Sequence, residues 1–422
     1  MKVFLDTVGC KLNQSEIERF SVQFHEAGHE LVASMDQADV VVVNTCAVTA
    51  AAASDSRQKL RQALRKNPNV RLIATGCLAS LHESLAEAIP GLSDVIPNDR
   101  KDTLVEDLFG EIPEHVDVLR LPVAGERSRT RAFIKAQDGC NHYCTFCITR
   151  IARGKSRSIP AEQVVEDIQR AVRAGVKEIV LTGVQLGSWG LDHQPVQKLA
   201  DLIRLVLTSL PSDVRVRISS IEPWDVDEDL ISLWADQRLC PHFHLPLQSG
   251  SDKILRLMAR KTSIEDYASL VGMIRRHIPD AAITTDMIAG FPGETVEDFT
   301  ETLRFIEQIQ FAGGHAFSYS ARQGTPAARL PGQLDGIEKH RRSRLLIGAF
   351  ESSAEQYRQR WLGKTVDVLW ESARRDGEGW LLSGWTREYL RVEASSPTRE
   401  WNQICRVKIH SITGDICSGE RE

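Results

Sequence analysis

Three cysteines in the stretch Gln137-Asp-Gly-Cys140-Asn-His-Tyr-Cys144-Thr-Phe-Cys147 have a spacing that defines a chemistry rather than a scaffold. A Cys-x3-Cys-x2-Cys loop can wrap three thiolates around three irons of a cubane iron–sulfur cluster, leaving the fourth iron open. Electron-transfer clusters take four cysteines, and zinc sites pair Cys-x2-Cys units with further ligands nearby. Neither set completes itself here, because the next cysteine is Cys240. An open iron is a place for an exogenous ligand. Three reduced structural thiols are the alternative, and so compact a triplet in a chain of nine cysteines argues against it.

A second set of three cysteines is scattered along the first part of the chain. Short β-branched runs, Val3-Phe-Leu-Asp, Val40-Val-Val-Val and Val70-Arg-Leu-Ile-Ala, precede helical patterns near Gln14–His25, Ala50–Lys66 and Leu78–Ala88. This alternation predicts a parallel sheet, closed by a weak strand at Asp94-Val-Ile and a helix near Asp102–Leu108. The three runs end in Gly9-Cys10, Asn44-Thr45-Cys46 and Gly76-Cys77. Parallel strands set their carboxyl ends along one edge, where open α/β sheets bind ligands, so Cys10, Cys46 and Cys77 converge. Gly9 and Gly76 would let backbone approach a bulky inorganic group. Buried core thiols are the other reading, since free cysteine is among the most buried residue types.

The strand and helix patterns resume after an Arg-rich linker, Glu111–Thr130, with Pro113 and Pro122. Strands are expected at Ala132–Lys135, Glu178–Leu181, Val214–Ile218, His242–Leu245, Ala282–Asp286 and His315–Tyr319. Six such repeats predict a partial (β/α)6 barrel, whose active-site residues belong at the carboxyl ends of the strands. The cluster loop follows the first strand; Gly183, Ser219, Glu222, Gln248, Ile288 and Gly290 follow later ones. No Gly-x-Gly-x-x-Gly opens a helix after a strand, so a dinucleotide site has little support. A polar helix over Asp335–Arg360, stopped near Gly363, should lead into a small five-stranded barrel of the oligonucleotide-binding size. Its strands are expected at Thr365–Trp370, Trp380–Trp385, Tyr389–Val392 and Ile404–Ile412. Trp370, Trp385 and Tyr389 could stack bases or simply fill the core, and Cys405 and Cys417 match no ligand spacing.

At 422 residues the chain should hold two or three domains, and 42% hydrophobic with 26% charged residues is a globular composition. No apolar run approaches a membrane span, and no signal-peptide core follows Met1, so a cytoplasmic location without membrane is expected. The net charge of −5 hides a local basic patch: Arg120, Arg127, Arg129, Arg131, Lys135, Arg150, Arg153, Lys155 and Arg157 flank the cluster loop. Such a patch is either a solvated face or a grip on a polyanion's phosphates.

Together these blocks resemble the radical S-adenosylmethionine (SAM) methylthiotransferases along nearly the whole chain. The resemblance implies an α/β chain of three domains. These are an N-terminal, Rossmann-like parallel sheet over 1–112, a radical SAM partial (β/α)6 barrel over 130–360, and a TRAM, OB-like RNA-binding β-barrel over 361–422. It implies two [4Fe–4S] clusters, one on Cys140, Cys144 and Cys147 that cleaves SAM and an auxiliary one on Cys10, Cys46 and Cys77 that carries sulfur, with two SAM per turnover. Phe146 would lie near the adenine, Gly183 would pass the methionyl group, and Ser219, Glu222, Ile288 and Gly290 would line the ribose and adenine. Gly9-Cys10-Lys11-Leu12-Asn13, Gln137-Asp138-Gly139-Cys140-Asn141 and Arg150-Ile-Ala-Arg153-Gly154-Lys-Ser-Arg157 resemble the branch acting on tRNA threonylcarbamoyladenosine. Leu12 departs from that branch's usual Val. Tyr319–Ala328, with Arg322, resembles the tRNA-acting groups generally. The expected partners are a tRNA anticodon stem-loop, gripped by Arg150, Arg153, Arg157 and Arg322, and an electron donor of flavodoxin or ferredoxin type. Other readings are action on isopentenyladenosine tRNA or on a ribosomal-protein aspartate, and a non-enzymatic iron–sulfur RNA-binding sensor.

Overall fold

A computed structural model describes residues 1–82, 85–110 and 130–422. The linker at Glu111–Thr130, with Arg120, Arg127 and Arg129, lies outside the described residues apart from Thr130. The chain forms two compact units. The first comprises Met1–Tyr143, Cys147–Gly175 and Thr182–Val184; the second comprises Cys144–Phe146, Val176–Leu181 and Gln185–Glu422.

The first unit is built on a five-stranded sheet in the order Glu30–Leu31, Lys2–Thr7, Val40–Thr45, Arg71–Gly76, Leu92–Ile96. Every pairing is parallel. Val40 to Val43 are all fully buried, as a central strand covered on both faces requires, which explains their unbroken apolar run. Helices Lys11–Glu26 and Ala50–Lys66 follow the strands as the sequence predicts, the latter capped by Thr49 Oγ1 accepting from Ala52 N at 3.1 Å. The helix expected at Leu78–Ala88 is instead two short pieces, Cys77–Leu81 and Leu85–Ala88, because the backbone turns non-helical at His82. The expected first strand of the barrel, Arg131–Lys135, belongs to this unit, followed by the cluster loop and the helices Thr149–Arg153 and Ala161–Arg173.

In the second unit the remaining five expected strands all form. Glu178–Thr182 pairs in parallel with Arg215–Ile218, and His242–His244 with Ala282–Ala289, which in turn pairs with Gly313–Ser318. Isolated parallel bridges, Val216 to Leu239 and Ser220 to His244, link the two groups. The Gly336–Gln359 helix starts where Asp335 accepts from Glu338 N at 2.7 Å and sends Tyr357 and Trp361 into the core of the C-terminal barrel.

That barrel closes in the order Thr365–Asp376, Gly379–Thr386, Arg391–Ser396, Ile416–Arg421, Ile404–Thr413. Its third strand begins two residues beyond the expected Tyr389, and Ile416–Arg421 supplies the fifth strand. Base-stacking is not open to Trp370, which is wholly buried in the barrel core. Tyr389 stacks on His242 with ring centroids 4.0 Å apart, and Trp385 stacks on Tyr389 at 4.8 Å, so both rings wedge the barrel against the strand layer. Cys405 and Cys417, which match no ligand spacing, are buried in the barrel core.

The same junction is held by charge. Glu178, wholly buried, accepts from Arg215 Nε at 2.6 Å and Arg217 Nε at 2.9 Å. The two guanidinium groups then donate to the carbonyls of Trp385, Thr386 and Arg387 at 2.8, 3.0 and 3.1 Å. Arg217→Met leaves Glu178 paired with Arg215 but removes the donors to one Glu178 oxygen and to the Thr386 and Arg387 carbonyls, so it is expected to destabilise the second unit by about 1–3 kcal/mol. Urea unfolding followed by tryptophan fluorescence checks this; an unchanged midpoint would refute it.

Candidate metal centres and cofactor site

Cys10, Cys46 and Cys77 stand at the carboxyl ends of three adjacent parallel strands, as the sequence predicts. Cys46 and Cys77 are buried and Cys10 keeps an exposed edge. Burial pushes the Cys46 thiol up to about 11, and the nearby Cys77 and Cys10 add to the rise, so the three sulfurs share one neighbourhood. The glycines beside them are sterically required. Gly9 has φ of +104°, and a Cβ there would lie 2.6 Å from Cys46 Cβ and 2.7 Å from its Sγ. Gly76 has φ of +95°, and a Cβ there would collide with the carbonyl oxygen of Thr45.

Two buried amides organise these ends. Asn13 Nδ2 donates to the carbonyls of Val8 and Thr45 at 2.8 and 3.1 Å, tying together the segments that lead into Cys10 and Cys46. Asn98 Nδ2 approaches Cys77 Sγ at 3.9 Å and donates to Ala152 O at 2.7 Å. Neither amide stood out in the sequence reading; Asn13, three residues after Cys10 on the helix that follows it, was the signal available.

Beside them lies a buried ionic network. Glu16 accepts from Lys101 Nζ at 2.7 Å and Arg153 Nη1 at 3.0 Å, and Asp138 accepts from Arg153 Nη1 at 3.0 Å and Lys135 Nζ at 2.9 Å. Burial alone would raise the Glu16 carboxyl, but Arg153, Lys101 and Lys135 hold it well below the usual carboxylate range. The expectation that Arg153 grips phosphates is therefore corrected: its side chain is 2% exposed and spent on Glu16, Asp138 and Asn13. Lys101, Lys135 and Arg153 are balanced by Glu16, Asp138 and Asp102, the last 3.6 Å from Lys135 and shared with the part-exposed Arg19 at 3.1 Å. A cubane cluster on three thiolates carries net negative charge, which the fixed Arg153 charge acting on Cys77 and Cys10 fits. Among the described residues no three His, Cys, Asp or Glu side chains form a site for a single metal ion.

In the cluster loop each sulfur has a nitrogen donor. His142 N reaches Cys140 Sγ at 3.4 Å and Thr149 N reaches Cys147 Sγ at 3.4 Å. In the second unit Arg260 Nη1 reaches Cys144 Sγ at 3.8 Å. Such donors favour thiolates, the form that binds metal.

Arg260 escaped the sequence reading. It is buried, donates to Glu222 Oε1 and Oε2 at 3.1 and 2.6 Å and to the carbonyl of Pro246, and covers the Trp224 ring at 4.6 Å. Both oxygens of Glu222 are thus already engaged, so it reaches a ribose only with its remaining lone pairs. Ser219 fits the ligand reading: it is buried and its hydroxyl has no hydrogen-bond partner among the described residues. Phe146 and Ile288 pack together against Ile254, Met258 and Phe291, giving an apolar wall. Two expected glycines have local causes. Gly290, at φ +73°, makes room for the Lys339 side chain, and a Cβ on Gly183 would sit 2.9 Å from Gln137 Oε1. Of the remaining basic residues, Arg157 is exposed, Arg150 lies over the exposed Tyr143 ring at 3.6 Å, and Arg322 is half-buried.

Asp225, next to Glu222, is pushed up to about 6 by burial and then by the Glu222 charge. Its folded value lies above its unfolded one, so the folded chain binds more protons between about pH 4 and 6, and stability falls as pH rises through that window. Asp225→Asn is expected to raise the melting temperature at pH 8 and to change it little at pH 4.5. An equal shift at both pH values would remove the charge as the cause.

Residues 134–306 match the Radical SAM superfamily and residues 2–96 the uncharacterized protein family UPF0004. The chain is 36% identical to the threonylcarbamoyladenosine tRNA methylthiotransferase MtaB of Bacillus subtilis, over 96% of this chain and 93% of that protein. It is 34% identical to a tRNA-2-methylthio-N(6)-dimethylallyladenosine synthase of Clostridium tetani, over 99% and 95%. Its fold is also similar to the radical SAM methyltransferase TsrM of Kitasatospora setae, with a TM-score of 0.57 at 14% identity over 78% of this chain and 75% of that one. No helix among the described residues is long and apolar enough to cross a membrane. Two cysteine triads in their own structural settings, and relatives matched along almost their full length, place the chain in the radical SAM methylthiotransferase family, in its MtaB branch.

Proposed function

We propose that this chain converts N6-threonylcarbamoyladenosine at position 37 of tRNA, beside the anticodon, to its 2-methylthio derivative. The observation that carries the reading is the second triad, Cys10, Cys46 and Cys77, on one sheet edge of a chain that also bears the Cys140/Cys144/Cys147 loop. When bound, SAM and the two [4Fe–4S] clusters supply a 5′-deoxyadenosyl radical and the sulfur and methyl for a C–H to C–S–CH3 conversion. The chain holds and shields these groups. The two triads ligate iron, and the Ser219 hydroxyl donates to SAM. Phe146 and Ile288 keep water from the reacting carbon, since a radical needs one hydrogen placed beside it and solvent excluded. Arg150, Arg157 and Arg322 take the phosphates of the anticodon stem-loop, where forked guanidinium contacts are favoured. The electron donor is of flavodoxin or ferredoxin type.

The test is mass spectrometry of nucleosides from tRNA incubated anaerobically with the reconstituted chain, SAM and reductant. One sample carries threonylcarbamoyladenosine and a parallel one isopentenyladenosine. A methylthio gain on the first alone supports the reading; a gain on the second alone moves the chain to the other branch. No gain on either, with SAM still cleaved, removes tRNA as substrate.

A further inference from the structure

Arg153, displaced from the phosphate role, needs another. It ends the five-residue helix Thr149–Arg153 that begins two residues after the cluster ligand Cys147. Two contacts run from that helix toward the other triad. Arg153 Nη2 donates to Asn13 Oδ1 at 2.7 Å. Asn13 ties the strand ends carrying Cys10 and Cys46 through Val8 O and Thr45 O, and Cys10 Sγ lies 3.8 Å from its Oδ1. Ala152 O receives Asn98 Nδ2, the atom that approaches Cys77 Sγ. The next residue, Gly154, accepts Cys140 N at 3.1 Å, and Thr149 N serves Cys147 Sγ, so one short segment touches ligands of one triad and reaches the other through Asn13 and Asn98.

The second observation is charge. Arg153 is a buried guanidinium whose positive charge acts on Cys77 and Cys10 as well as on Glu16 and Asp138. Burying such a charge is costly unless negative groups surround it. A guanidinium cannot shed its proton to escape the cost.

We propose that Arg153 is a positioning residue for the group held by Cys10, Cys46 and Cys77: it fixes two of the three ligand-bearing strand ends through Asn13, and its charge raises that group's reduction potential. The inference rests on the reading of these cysteines as ligands of an auxiliary [4Fe–4S] cluster. A cation near a cluster that gains one electron on reduction stabilises the reduced state, and withdrawing the cation favours the oxidised one. Asn98 fixes the third strand end from the same helix.

The test uses the full chain with Cys140, Cys144 and Cys147 all changed to alanine, so that only the auxiliary cluster remains. After anaerobic reconstitution, iron and sulfide are counted and the cluster is titrated with dithionite and followed by electron paramagnetic resonance. About four irons per chain are expected. With Arg153→Met added, the reduced fraction at the parent's midpoint should fall so that the reduced-to-oxidised ratio drops at least tenfold, about 59 mV for one electron. Arg153→Lys, which keeps the charge and loses the fork, should change the ratio less than threefold and shed part of the iron. Asn13→Ser keeps all the charges and cuts the tie; it should also lose iron, and it carries the test if Arg153→Met does not fold. Full iron with an unchanged midpoint in Arg153→Met, or full iron in Asn13→Ser where only that variant folds, overturns the inference while leaving the auxiliary cluster intact. No iron in the parent overturns the cluster reading, and the inference with it.

Discussion

Cys46→Ala is expected to abolish methylthio transfer while SAM is still cleaved to 5′-deoxyadenosine. The two triads sit in separate local structures: Cys46 ends the central strand Val40–Thr45, whereas Cys140, Cys144 and Cys147 share one loop. Cys46 is 3% exposed, and its backbone N–H donates to Ser56 Oγ at 2.9 Å, so the strand end stays in place when the sulfur is removed. The substitution deletes one heavy atom from a packed site, a modest cost for the fold. Iron should fall from about eight to about four per chain. The check is iron content, 5′-deoxyadenosine and modified nucleoside measured on one preparation. Methylthio transfer at the parent's rate would leave Cys46 as a core thiol. Loss of both products together would point instead to collapse of the fold, which circular dichroism separates.

That this prediction can be made at all reflects what a parallel sheet makes legible. Once the runs before Cys10, Cys46 and Cys77 are read as parallel strands, topology alone brings their ends together, whatever the distance in sequence. The cluster loop was legible because its ligands are local. What stayed hidden was long-range pairing. Arg153 stands in a stretch dense with Arg and Lys and so reads as part of a phosphate grip; its partner Glu16 lies 137 residues away, on the first helix. Charge counts in a window cannot tell a solvated guanidinium from a buried one. Trp385 and Tyr389 misled in the same way, since an aromatic on a small barrel suits either a base or a neighbouring layer, and His242 decides for the layer. The strand Ile416–Arg421 was obscured by Gly419, a strand-weakening residue in general. There a Cβ would collide with Val407 on the paired strand, so the glycine marks close packing inside the barrel.

Arg260 is the residue whose loss should be felt most in the second unit. Its side chain, 2% exposed, meets the Glu222 carboxylate with two nitrogens, the Pro246 carbonyl and Cys144 Sγ. Removing it leaves the Glu222 carboxylate, 20% exposed, without its guanidinium, at a cost of about 1–3 kcal/mol. It also removes a hydrogen-bond donor to a ligand sulfur. Arg260→Met should therefore unfold at markedly lower urea and lose SAM cleavage as well. Arg260→Lys should rescue little, because a single ammonium cannot reproduce a two-pronged contact and the reach to sulfur together. The two effects separate in the double variant Arg260→Met/Glu222→Gln. Neutralising the orphaned carboxylate should recover most of the stability, giving a coupling of about 1–3 kcal/mol in a double-mutant cycle, while the donor to Cys144 stays absent and SAM cleavage stays low. If SAM cleavage returned along with stability, Arg260 would be no more than a brace for Glu222. If neither returned, the Pro246 carbonyl would be the contact that matters.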